Sequence, residues 1–372
     1  MITMNGKYNS ANIMIDDIDG TTQEQIQEFL NHPAFRGSYI AIMPDCHAGI
    51  GAVIGFTMPV NDYVIPNVIG VDIGCGMLAT RLDIHDPESF DPMDLDAAIR
   101  ERIPSGFRIH EKPLDIGYQS VEIGETCERI GIDTKKALLG VGSLGGGNHF
   151  IELGVNGPDW WLTIHSGSRN FGLKVANFYQ QKARDGIGRY FITGYKNLEF
   201  LPVDSPEGMD YLHDLAVAQR FASTSRKKMA EMILDDLNID ALNQFESVHN
   251  FIGDDNVIRK GATSAHKGEM VIIPFNMRDG LALCVGKGSQ KYNNSAPHGA
   301  GRIISRKKAK ETISLADFKE SMAGIASTTV CAATLDEAPQ AYKDMAVILE
   351  NIEETVEVMA MVKPVYNFKA AE

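Results

Sequence analysis

Gly140-Val-Gly-Ser-Leu-Gly145-Gly-Gly-Asn-His149-Phe-Ile-Glu-Leu153 is the stretch on which the fold class turns. Its first six residues spell the G-x-G-x-x-G of a dinucleotide-binding turn. That turn needs a strand before it and a helix after it, so that the glycines bring a pyrophosphate to the helix N-terminus. Here the run after the glycines, Asn148–Leu153, is itself strand-like. The doubly wound reading therefore fails. Gly286-Lys-Gly-Ser289 fails as a P-loop for a similar reason, because Leu281 stands where the first glycine belongs.

Outward from this stretch, strands and helices mix without a regular alternation. Trp160–Ile164 reads as a strand, followed by a helix from about Gly172 to Arg184. Upstream, Thr21–Leu30 reads as a helix opened by a Thr21/Glu24 capping box. Tyr39–Met43, Ala52–Val60 and Val68–Ile73 read as strands, and Asp91–Arg102 and Tyr118–Ile130 as helices. Ser205–Leu237 is the longest helical stretch, with Ser205 as N-cap, Pro206 at the first helical position and Ser223-Thr-Ser225 as a candidate break. Phe245–Ile252, Glu269–Pro274 and Leu281–Val285 are strand candidates. Ser314–Met322 and Pro339–Ile352 read as helices, and Val356–Phe368 as a terminal strand or strand pair. No repeat, low-complexity segment or linker divides the chain. The expected fold is α+β, mixed α/β, with residues 1–372 forming one domain on mixed sheets with surrounding helices.

The 372 residues are 44% hydrophobic and 23% charged, ordinary for a globular chain. Thirty-five Lys and Arg against 49 Asp and Glu leave a net charge of −14, which argues against a broadly basic nucleic-acid coat but not against a local groove. Five cysteines with no C-x-x-C, a polar start and no apolar run of membrane-spanning length point to a cytoplasmic protein with reduced thiols and no membrane partner.

The 35 glycines cluster beside histidines. Asp72, Cys75, His149, His165 and His249 each stand where an apolar stretch hands over to a turn. Transition metals take imidazole, thiolate and carboxylate from such converging rigid positions. A single histidine there is more often a satisfied core residue, but several buried polar groups need partners. His298 lies among small residues, Ala296-Pro-His-Gly299-Ala300-Gly301, with Arg302, Arg306, Lys307, Lys308 and Lys310 just beyond. That context suits phosphoryl or nucleotidyl transfer, in which positioning and charge neutralisation dominate. His165-Ser-Gly-Ser-Arg169 precedes a helix and offers backbone N–H groups, hydroxyls and a guanidinium to an anion.

Read together, Pro44-Asp-Cys-His-Ala-Gly49, Val71-Asp-Ile-Gly-Cys-Gly76, Gly145–Glu152, His165–Arg169, Val248-His-Asn250, Ala296–Arg302, Asp336-Glu-Ala-Pro339 with Tyr342, and Lys369 resemble the RtcB family of RNA-splicing ligases, in the family's order. The resemblance implies an enzyme that joins RNA 2′,3′-cyclic phosphate or 3′-phosphate ends to 5′-hydroxyl ends with GTP and two Mn²⁺. It implies His298 as the GMP-carrying nucleophile, one metal on Cys75, His165 and His249, and a second on Asp72, Cys75 and His149. It implies a GTP site from Asn148, Phe150, Glu152, Ser295, Gly299, Ala300, Gly301, Tyr342 and Lys369. Arg169, Arg302 and Arg306 would hold RNA phosphates or similar anions, and Asp45 and His47 would stand behind the reacting groups. Two other readings fit part of the pattern: a binuclear phosphoesterase, which needs the metal cluster but not His298, Tyr342 or Lys369, and a metal- or nucleotide-binding module without catalysis. The sequence names neither the RNA nor any activating protein partner.

Overall fold

The computed structural model describes residues 2–190 and 194–370. Seven strands form one antiparallel sheet in the order Asp240–Val248, Gly76–Asp83, Asp159–Ser166, Phe150–Asn156, Val356–Lys369, Gly280–Gly286 and Met270–Asn276. A second sheet of six strands runs Ile2–Asn5, Ser10–Ile13, Ile40–His47, Ile54–Pro59, Val257–Lys260 and Asn250–Ile252, with one parallel pair, between the second and third. Ala262–Ser264 and Ser295–Pro297 pair separately. The α+β class expected from the sequence is what the chain adopts.

The helix Pro206–Leu237 serves both sheets. Its first half buries Tyr211, Leu215, Ala218 and Phe221 with the six-stranded sheet, and its second half buries Met229, Ile233 and Leu234 against strands of the larger one. Ser205 caps it, accepting from the Gly208 N–H at 3.0 Å. The expected break at Ser223-Thr-Ser225 does not occur. Hydroxyls break helices by competing for their own backbone, and these three are engaged elsewhere. Ser223 donates to Glu246, Thr224 donates to Gln119, and Ser225 accepts from the Gly142 N–H.

Three other expectations are corrected. The first helix is capped by Asp19, which accepts from the Thr22 N–H at 2.9 Å, and not by Thr21. Val68–Ile73 is not a strand: Pro66–Ile69 makes one helical turn, stopped at Gly70 (φ 106°). Its apolar run carries no period because it is buried all round. Pro339–Ile352 is not one helix. A single turn, Pro339–Ala341, and the helix Met345–Asn351 are separated by an extended Tyr342.

Candidate active site

Strand register lines up the chemistry. Val248 pairs with Gly76, Gly76 with Ser166, His165 with Phe150, and Phe150 with Lys369. His249, Cys75, His165, His149 and Lys369 therefore lie side by side at one end of five neighbouring strands. In an antiparallel sheet this placement follows from pairing alone, although the residues are up to hundreds of positions apart.

The donor atoms of Cys75, His165 and His249 lie within 4.8 Å of one another, as do those of Asp72, Cys75 and His149. Cys75 Sγ is 3.3 Å from Nε2 of both His149 and His165, the Nε2 atoms of His165 and His249 are 3.2 Å apart, and His149 Nε2 is 2.9 Å from Asp72 Oδ2. Burial pushes His165 and His249 well below the usual histidine range, so both imidazoles are neutral, the form that ligates metal. Burial and the Asp72 charge raise the Cys75 thiol; a cation is what would stabilise its thiolate. Burial works to raise Asp72, but the interactions of His149 together with hydrogen bonds from Cys75 and the Ser168 N–H outweigh it and hold the carboxyl below its ordinary value. Sulfur shared by two triads, with imidazoles and one carboxylate, fits two transition-metal ions. Gly145 makes the approach possible: a side chain there would strike both His149 Nδ1 and the Arg169 guanidinium.

His298 follows the strand Ser295–Pro297, and its ring centroid is 4.8 Å from that of His249. Its Nδ1 is 2.6 Å from Asp45 Oδ2, and Asp45 is fully buried. The carboxylate accepts the Nδ1 proton and leaves the Nε2 lone pair free. Gly261, at φ +60°, gives the ring room, since a Cβ there would sit 3.3 Å from His298 Cε1. His47 lies beside them, its Nδ1 3.0 Å from the Asp45 carbonyl, and burial lowers its pKa. Lys343 donates to the carbonyls of Pro44 and Cys46 and fixes the same segment.

One cavity of about 320 Å³ joins these groups to a second cluster. Asn148, Phe150, Glu152, Gly299, Ala300, Gly301, Tyr342 and Lys369 all line it. Lys369 Nζ lies 5.1 Å from the centroid of the Phe150 ring and donates to Glu337 at 2.8 Å. Glu337 also accepts from Tyr342, Arg302 and Arg306. Burial works to raise Glu337, and Lys369 and Arg306 outweigh it, so the carboxyl is held low. Glu152 is the contrast: burial pushes it up to about 8 against the opposing Asn367 and Lys369. Its Oε2 accepts from Asn367 at 2.8 Å, while its buried Oε1 has no partner among the described residues.

A family model described as tRNA-splicing ligase RtcB matches residues 25–130 and 131–370. The chain is 30% identical to the RNA-splicing ligase RtcB of Escherichia coli K12 over 94% of both chains. This chain belongs to the RtcB family. It is 28% identical to the RNA-splicing ligase RtcB of Mycobacterium tuberculosis, over 85% of this chain and 92% of that one, and 26% identical to the tRNA-splicing ligase RtcB of Aeropyrum pernix, over 82% of both. RtcB membership makes the protein an enzyme of the nucleic-acid ligase class, and the resemblance in its motifs holds across the chain.

Against the RtcB expectations, some residues stand elsewhere. Ser295 is not on the cavity: it is buried, accepts from Arg259 at 2.8 Å and donates to the Asn293 carbonyl. The His165–Arg169 turn already holds an anion, the Asp72 carboxylate, which accepts from the Ser168 N–H at 3.2 Å. Arg169 is tied to Ser143 and the Gly106 carbonyl and lines a separate cleft. The basic run is largely neutralised: Arg306 and Lys310 pair with Asp336, Arg306 and Arg302 with Glu337, and Lys307 lies near Glu311. Arg302 and Arg306 line the main cavity through this network and are not free cations. Glu337 and Lys343 were missed by sequence reasoning. Glu337 stood inside a quoted motif, but its role as a hub depends on partners that only the fold assembles. Asn250 ties the Asp72 carbonyl to the Gly261 N–H and was likewise unassigned.

Proposed function

We propose that this RtcB protein is a GTP-dependent RNA ligase, acting as one catalytic unit in the cytoplasm on transfer-RNA exons or cleaved RNA. His298 Nε2 attacks the α-phosphorus of GTP and pyrophosphate leaves, giving GMP-histidine. The GMP passes to an RNA 3′-phosphate, itself present or formed by hydrolysis of a 2′,3′-cyclic phosphate. The 5′-hydroxyl of the second RNA then attacks that 3′-phosphate and GMP departs. The observation that carries this reading is His298: its Nδ1 is claimed by buried Asp45, and its ring stands against His249 on the wall of the donor-lined cavity.

Each protein group has a task in this scheme. Asp45 keeps the proton on Nδ1 and steadies the imidazolium charge that grows as Nε2 bonds to phosphorus. Cys75, His165 and His249 would hold one Mn²⁺, and Asp72, Cys75 and His149 a second. When bound, the two ions neutralise charge on the phosphates. Asn148, Phe150, Glu152, Tyr342 and Lys369 form the guanosine end, with the unpartnered Glu152 Oε1 offered to the base edge. Gly299, Ala300 and Gly301 let the phosphates close on His298. Arg302 and Arg306 act here by fixing Glu337 and hence Lys369.

Incubation with α-labelled GTP and Mn²⁺ tests the reading. Label should stay on the protein as an acid-labile, base-stable phosphoramidate, and His298→Ala should abolish it with metal content unchanged. A phosphoesterase or a binding module would give no covalent label in the wild type. Label retained by the variant would move the nucleophile elsewhere.

A further inference from the structure

A second cleft, of about 630 Å³, opens beside the metal cluster and is used by no step above. Its wall is the first turn of the helix Arg169–Gly186, the short helix Thr134–Leu138 and the loop at Gly106 and Phe107. Phe107 stands on its lip with 92% of its surface exposed. Single exposed apolar residues are ordinary, so Phe107 alone says nothing. The company it keeps is not ordinary. Lys136 and Lys174 face the same cleft, both exposed, and neither is paired with a carboxylate among the described residues. With Arg169, which donates to Ser143 and a carbonyl and to no acid among the described residues, they put three cations against one acid on this wall. The one acid on the wall, Asp133, is turned to its own helix end, where its carboxylate accepts from the Lys136 N–H.

The cleft is separate from the reaction cavity but borders the metal cluster through Arg169. Arg169 lines it and donates to the carbonyl of Gly106, the residue before Phe107. The same guanidinium borders His149 across Gly145, where one added carbon would strike both.

We infer that this cleft holds the last nucleotides of the RNA strand that ends in 3′-phosphate, one unstacked base on Phe107 and the flanking phosphates at Lys136 and Lys174. An aromatic platform beside unpaired cations is the chemistry that single-stranded nucleic acid selects, because every base has a stacking face and every linkage a charge. The alternating stack and phosphate reach the metal cluster through Arg169. The inference rests on the RNA-ligase reading and adds to it the path of one substrate strand.

The test uses the full chain with Mn²⁺ and a short fluorescent single-stranded RNA ending in 3′-phosphate, followed by anisotropy. Phe107→Ala should weaken binding by about fivefold or more, since losing one stacked base costs at least that much. Phe107→Trp should restore it, whereas Phe107→Leu, apolar but not flat, should not. Lys136→Ala with Lys174→Ala should make the salt dependence shallower by about 1.4 in slope, roughly 0.7 for each phosphate released. All of these variants should still take GMP from GTP as the wild type does, because none touches the guanosine cavity. Wild-type affinity in Phe107→Ala, with the wild type ligating normally, would overturn the cleft assignment alone and leave the face to another occupant such as an acidic protein. Absence of RNA binding and ligation in the wild type would overturn the ligase reading and this inference together.

Discussion

Asp45 and His298 are 253 positions apart in the chain, and their Oδ2 and Nδ1 atoms are 2.6 Å apart. A carboxylate on Nδ1 decides which nitrogen keeps its lone pair. Asp45→Asn preserves shape but allows the amide to donate, which favours the tautomer with the proton on Nε2 and disarms the nucleophile. The rate of GMP transfer to the protein should fall by about a hundredfold or more, with both metals retained by elemental analysis. An unchanged rate would show that another group sets the tautomer. His298 itself was legible in the sequence, because small residues around a histidine advertise room for a ligand. Asp45 was legible only as a bystander, since nothing in its neighbours shows that it is buried against His298. Ser295 misled for the opposite reason: its hydroxyl stands three residues from His298, and a strand turns it toward Arg259.

At the scale of elements, the long helix shows what sequence can and cannot tell. Ser205 followed by Pro206 marks its start unambiguously, and the helix begins there. Ser205→Ala should cost about 1 kcal/mol, the usual worth of a capping hydroxyl, read as a lower urea midpoint at unchanged slope. A loss near zero would mean that Pro206 and tertiary packing fix the end without the cap. The serine–threonine triplet in its middle gave a false break, because the groups that occupy those hydroxyls come from Gln119, Gly142 and Glu246. Strand ends carrying Cys75, His149, His165 and His249 were legible as a set, since each closes an apolar run. Their common edge was not, because register is a property of pairs and a single chain written in one dimension shows no pairs.

For the whole molecule, acid is the informative stress. His32 is completely buried, accepts the Ala34 N–H on Nδ1, and its Nε2 has no partner among the described residues. Burial pushes its pKa down to about 4. The folded protein therefore keeps it neutral in a range where the unfolded chain protonates it. Above pH about 6.5 both states are neutral and nothing is lost. As pH falls from about 6.5 toward 4, stability declines, by about 3 kcal/mol at the full extent, and below that no more is lost. His32→Asn keeps an acceptor for Ala34 and removes the titration. Urea unfolding at pH 7 and pH 4.5 should show a smaller difference in the variant than in the wild type. An equal difference would place the acid sensitivity on other groups. The net charge of −14 made a broad nucleic-acid coat improbable from the outset. The cations that escape pairing were invisible to that total, because a sum does not record who neighbours whom.

The row of donors at the sheet edge also sets an order of events during synthesis. Asp72 and Cys75 emerge from the ribosome first, and His149 follows Cys75 only 74 residues later. His249 comes a further 84 after His165. Loops of that length must close, and their strands must zip in register, before any three donors meet. Until His149 emerges, a nascent chain offers, of these donors, only the carboxylate and thiol of Asp72 and Cys75. Cys75, His165 and His249 cannot meet before the strands that carry them have paired in register.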